Sequence, residues 1–129
     1  MARVLIVDDD ADFANAIAKT VASDGHLTEI QLDTASAMKS IETRRPDLVI
    51  LDVMFPENDT AGFEFARQLR NNDECKNMPI LMLTAINAKS SLGFGAKDID
   101  ESWLPVDDFL EKPVDLNILK QRVAQMLQR

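Results

Sequence analysis

The sequence predicts an α/β fold, a doubly wound five-stranded parallel sheet with helices on both faces. Three observations point there. Apolar runs and helix-period segments alternate five times along 129 residues, which is the pattern of strands joined by right-handed helical crossovers. The runs Val4-Leu5-Ile6-Val7 and Leu48-Val49-Ile50-Leu51 are wholly apolar rather than alternating, as strands covered on both faces must be. Both end on acids, Asp8-Asp9-Asp10 and Asp52, and a carboxylate just past a parallel strand stands at the sheet edge where open α/β sheets gather their ligands.

Each element has its own signal. After the first strand, residues 11–22 place Phe13, Ile17 and Val21 at helical spacing, with Asp10 as N-cap and Asp24-Gly25 as the stop. Residues 28–32 alternate as a second strand, with Thr28, Ile30 and Leu32 on one side. Residues 34–43 form a short helix with Ala37, Met38 and Ile41 inward, closed by Arg44-Arg45-Pro46. The strand at 48–51 follows. A loop over 55–61 then leads to a helix at 62–71 carrying Phe63, Ala66 and Leu69. Pro79 introduces a strand at 80–83 that ends at Thr84-Ala85. Residues 88–97 include Gly93 and Gly95, so a helix there is weak or broken, and residues 98–108, with Trp103 and Pro105, read as a loop. Phe109-Leu110-Glu111 is a minimal fifth strand and Lys112-Pro113 a turn. Residues 115–128 make the last amphipathic helix.

The length suits one domain over residues 1–129, with no repeat and no linker. With 14 basic against 22 acidic residues the formal net charge is −8, so the chain lacks the electrostatic footprint of a nucleic-acid binder. Cys75 is the only cysteine; it excludes an internal disulfide, fits a reducing compartment and reads as a bystander on a polar stretch. No run is long enough for a signal peptide or a membrane span. A cytoplasmic protein is expected.

Asp8, Asp9, Asp52, Thr84 and Lys112 all fall just past strand ends, so one edge of the sheet can collect them. Carboxylates gathered that closely need a cation, and an oxygen-only donor set suits a hard one such as Mg²⁺. Asp9 and Asp52 are placed to ligate it directly, with Asp8 assisting through a bound water. A carboxylate beside that ion is a competent nucleophile for in-line phosphoryl transfer. Lys112 offers a point charge and Thr84 a hydrogen bond to phosphoryl oxygens, where transition-state charge spreads.

The segments Leu5-Ile6-Val7-Asp8-Asp9, Leu51-Asp52-Val53-Met54, Leu83-Thr84-Ala85 and Glu111-Lys112-Pro113, in this order, resemble the receiver domain of bacterial two-component response regulators. The resemblance covers essentially the whole chain. It implies a flavodoxin-like sheet of order 2-1-3-4-5 and phosphorylation of Asp52 by a partner histidine kinase or phosphotransfer protein. It further implies Mg²⁺ held by Asp8, Asp9, Asp52 and the main-chain carbonyl of Met54, and switch positions at Thr84 and Phe109. A receiver assists its own phosphorylation and dephosphorylation and is not a dedicated enzyme. Its partners are proteins, a phosphorylation-dependent second copy among them, and its output surface here would include residues 88–109. Apolar Met54 and Ile86, flanking the approach of a hydrolytic water, imply a long-lived phosphorylated form.

The chain departs from the family in a longer loop after Asp52, in a longer span from Thr84 to Lys112, and in Phe109 where many members carry tyrosine. The alternative is a degenerate receiver acting as a constitutive adaptor, against which the complete acid, threonine and lysine set stands. An aspartate-nucleophile phosphatase would carry a second aspartate where Met54 stands. A flavin-binding protein would want a Gly- and Ser/Thr-rich phosphate loop in place of Asp8-Asp9-Asp10. Taken singly, Asp10 is a helix cap, His26 a surface turn residue, and Met38, Met78, Met82 and Met126 core filling.

Overall fold

In the computed structural model, which describes residues 2–52, 61–73, 75–85, 107–112 and 114–128, the strands are Arg3–Val7 (β1), Leu27–Gln31 (β2), Leu48–Asp52 (β3), Ile80–Ala85 (β4) and Asp108–Lys112 (β5). They form one sheet of order β2-β1-β3-β4-β5, and every neighbouring pair is parallel. The helices among the described residues are Ala11–Ala22 (α1), Thr34–Thr43 (α2), Ala61–Arg70 (α3) and Leu116–Leu127 (α4).

Successive strand residues point to opposite faces, and the apolar runs divide accordingly. Leu5, Val7, Val49, Leu51, Ile80 and Met82 face α2 and α3, where Ala37, Ile41, Phe65, Ala66 and Leu69 complete one core. Val4, Ile6, Leu48, Ile50, Leu81 and Leu83 face α1 and α4, meeting Ala14, Ile17, Val21, Leu119, Val123 and Met126 in the second. Two covered faces account for the wholly apolar runs at 4–7, 48–51 and 80–83. The helices begin where carboxylates cap them: Asp10, Asp33 and Asp115 each accept a backbone N–H from the first turn. Gly25, with φ at +90°, takes the left-handed conformation that turns the chain from α1 toward β2.

Several expectations are corrected. β2 runs from Leu27 to Gln31, so Leu32 lies past its end and is exposed, whereas Ile30 packs on the second core. Cys75 is no bystander; it is buried in the first core, and its carbonyl accepts the Met78 N–H at 2.9 Å. On α3, Ala66 and Leu69 are buried as expected and Phe65 is buried beside them; the side chain of Phe63 lies outside the described residues. His26 is half-buried, its Nδ1 accepting the Ala2 N–H at 3.3 Å. Met78, Met82 and Met126 fill core space as read, and Met38 packs against the first core. The expected weak helix at 88–97, Trp103, and the loops at 55–60 and 98–106 lie outside the described residues.

One device recurs at the end of the sheet where the strands start. Asp47, one residue before β3, accepts the N–H of Arg3, the first residue of β1, at 2.8 Å, and donates its own N–H to Arg3 O at 2.8 Å. Asp107, one residue before β5, does the same to Ile80, the first residue of β4, at 2.8 and 3.0 Å. Asp107 also takes the Arg70 guanidinium at 2.6 Å, and Arg70 donates to Met78 O at 2.7 Å. The end of α3, the start of β4 and the approach to β5 are thereby held together.

Losing a charge-assisted, half-buried acceptor costs more than losing an exposed one. Asp107→Ala should therefore destabilise by about 1.5–3 kcal/mol, and Asp47→Ala by about 0.5–1.5 kcal/mol. Urea midpoints at unchanged slope measure both, and equal shifts would contradict the ranking. Glu29 supplies a pH counterpart. The Ser40 hydroxyl, the Gln31 amide at 2.8 Å and Arg3 at 3.5 Å outweigh its burial and hold its carboxyl below the ordinary value. A depressed folded-state value contributes stability above the unfolded value and loses it as pH falls through the folded one. Between about pH 5 and pH 3 the wild type should lose more stability than Glu29→Gln; parallel curves would refute the linkage.

Candidate metal and phosphoryl site

β1 and β3 pair in register, Val7 opposite Leu51, so Asp8 and Asp52, the next residue on each strand, arrive side by side. Both are buried, at 1% and 3% exposure, and among the described side chains they are the buried polar ones. Asp8 is fixed from two directions. Its N–H donates to Gln31 O at 3.1 Å, which ties it to the end of β2. Its Oδ1 accepts the Asp10 N–H at 2.9 Å, an Asx turn that bends the chain into α1. Asp10 then accepts the Phe13 N–H at 3.1 Å and is spent as a cap. Asp9, half-buried, is carried between them.

Carboxylate oxygens of Asp8, Asp9 and Asp52 all lie within 4.8 Å of one another. Unit charges that close repel by roughly 3 kcal/mol per pair at an effective dielectric near 20. A divalent cation turns that repulsion into attraction. The donor set is oxygen only, without the imidazole or thiolate that zinc or copper would favour, so it fits a hard ion such as Mg²⁺ or Ca²⁺.

The register places other expected positions at the same end of the sheet. Asp52 pairs with Leu83, so Thr84 is one residue beyond it on the neighbouring strand. Thr84 pairs with Glu111, and Ala85 with Lys112; Phe109 pairs with Met82, nearer the middle of the sheet. At Thr84, Phe109 and Lys112 the backbone alone is described. Met54 and Ile86 lie outside the described residues, as does the expected output region apart from Asp107, Asp108 and the backbone of Phe109. The sequence reading had not included Gln31, whose carbonyl steadies Asp8; a backbone acceptor leaves no trace in residue identity.

No helix among the described residues is long and apolar enough to cross a membrane. Residues 4–124 match the family model described as the response regulator receiver domain. The chain is 36% identical over 127 residues to Response regulator MprA of Mycobacterium sp. (strain KMS), covering 98% of this chain and 51% of that protein. MprA of Mycobacterium ulcerans (strain Agy99) is similar at 35%, over 98% and 50%. The chain thus spans about half the length of the curated relatives it matches. Among solved structures, a putative response regulator from Chloroflexus aurantiacus superposes with a TM-score of 0.84 at 29% identity, over 99% of this chain and 98% of that one. The Francisella response regulator 1452 receiver domain gives 0.81 at 26%, over 100% and 98%. A buried acid pair set by strand register, on a parallel sheet with this profile and these neighbours, belongs to the response regulator receiver domain family of two-component phosphorelay signalling.

Proposed function

We propose that Asp52 accepts a phosphoryl group from a partner histidine kinase or phosphotransfer protein in a Mg²⁺-dependent reaction, and that phosphorylation switches a protein-binding surface. The observation that carries this reading is the gathering of Asp8, Asp9 and Asp52 oxygens within 4.8 Å at the strand ends. Asp9 and Asp52 would hold the ion directly, Asp8 through a water, and the Met54 carbonyl would complete the set. Bound there, Mg²⁺ neutralises charge on the phosphoryl oxygens.

The chain's own residues do the rest. Asp52, buried at the end of a central strand, is held at one position and turns a bimolecular encounter into an oriented one. An Asp52 carboxylate oxygen attacks phosphorus in line, and the acyl phosphate forms as the bond to the donor breaks. Lys112 would offset charge on a phosphoryl oxygen, and Thr84 would donate to one and shift toward it, with Phe109 following inward. The chain is then a self-assisting phosphoacceptor rather than a dedicated enzyme, acting in the cytoplasm, and a second phosphorylated copy is among the partners it would engage.

Mg²⁺ should raise the melting temperature of the wild type. At about a hundred times its dissociation constant the gain is about 2.7 kcal/mol. Asp52→Asn removes one of three clustered charges and should stabilise the metal-free protein by roughly 1–3 kcal/mol. Thermal melts with EDTA and with millimolar Mg²⁺ check both, and a wild-type melt indifferent to Mg²⁺ would count against the site.

Acetyl phosphate with Mg²⁺ should add one base-labile phosphoryl group, read by intact mass. Labelling should vanish in Asp52→Ala, and full labelling of that variant would remove Asp52 from its role. Lys112→Ala should still bind Mg²⁺ yet fail to change conformation with beryllofluoride, as hydrogen exchange would report.

A further inference from the structure

Among the described residues β2 ends the sheet and pairs only with β1. Leu27 N donates to Ala2 O at 2.8 Å and Gln31 O accepts from Asp8 N at 3.1 Å, so the peptide groups of Leu27, Glu29 and Gln31 face inward. In a parallel ladder alternate residues face opposite neighbours, which turns the N–H and C=O of Thr28 and Ile30 outward. No partner pairs with them among the described residues. An open edge is a template for another strand, and proteins usually blunt it with charge or proline on the strand itself. Here β2 has no proline, its one charged side chain, Glu29, is held by Ser40, Gln31 and Arg3, and an exposed leucine opens it, Leu27, with another just past its end, Leu32.

Beside this edge, between β2 and α2, runs a groove of about 480 Å³ lined by Arg3, Glu29, Lys39, Ser40 and Arg44 among others. Its one carboxylate, Glu29, is already satisfied by Ser40, Gln31 and Arg3. Lys39 and Arg44 are exposed and make no ion pair among the described residues. Arg3 Nε is buried beside the groove without a hydrogen-bond acceptor there. The groove is thus a cationic strip on a chain of net charge −8.

We propose that the β2 edge and this groove dock an extended acidic segment of a partner protein, which adds as a further strand. Its backbone would meet the outward groups of Thr28 and Ile30, and every second side chain would fall toward α2, where acidic residues meet Lys39 and Arg44. A second copy of the chain fits poorly. Pairing β2 against β2 would set each cationic strip beside its own copy and bring together two chains of net charge −8.

The probe is a short fluorescein-labelled peptide alternating glutamate and valine, read by fluorescence anisotropy on the whole chain. Binding should weaken about tenfold or more in Lys39→Glu with Arg44→Glu, two exposed positions remote from the acid cluster in sequence. It should be lost when the peptide is N-methylated along one edge, which blocks strand pairing without touching the protein or the peptide's charge. A lysine-valine peptide should not bind. Failure of the glutamate-valine peptide to bind at ~1 mM, binding unchanged by the double variant, or equal binding of the N-methylated peptide would overturn strand docking. So would a dimer in sedimentation that the same double variant dissolves, because the occupant would then be a second copy.

Discussion

The candidate site depends on the register of β1 against β3. Asp47 clasps Arg3 through both of its backbone groups at the starting end of the strands, and four paired residues later Val7 lies opposite Leu51. A slip of one residue would turn every apolar side chain of β1 to the wrong face and carry Asp8 out of reach of Asp52. Two buried cores enforce the same register from the faces. The cost of holding buried carboxylates together is therefore met by packing and pairing elsewhere, and the acids themselves need contribute nothing to folding.

The sheet has a division of labour between its ends. At the starting end, Asp47 and Asp107 use carboxylates as hydrogen-bond acceptors for strand N–H groups, with Arg70 closing the second clasp. At the finishing end, Asp8, Asp9 and Asp52 bring carboxylate oxygens within 4.8 Å of one another. The same side chain thus serves two purposes: at one end it accepts strand N–H groups, and at the other it belongs to a cluster of acids.

Strands were legible from the sequence because parallel central strands cannot carry a polar position, so Val4 to Val7 and Leu48 to Leu51 could hardly be anything else. The acid cluster was legible because it sits where such runs stop. Edge strand β2 was harder: only Ile30 among its residues joins the core, so alternation had no firm phase and Leu32 was taken in error. Cys75 looked exposed because its neighbours in sequence are polar, yet the turn from Asn72 to Met78 drives it inward. Asp107 fell in the stretch read as a loop and Asp47 drew no reading, since a clasp between strands distant in sequence has no local signature. Thr84 and Lys112 stand just past apolar runs in the sequence, and the β4–β5 register brings their backbones to one end of the sheet.

The clasp at Asp107 also bears on how this chain tolerates change. It fixes where the polypeptide resumes the sheet by bonding to the first residue of β4 rather than to anything after its last. The stretch between Ala85 and Asp107 therefore closes a circuit whose two ends are anchored independently of its length. Doubling the length of a flexible connection adds only about 0.6 kcal/mol of closure entropy, less than the clasp contributes. A change in the length of that connection therefore weighs less on the sheet than loss of the clasp at its end.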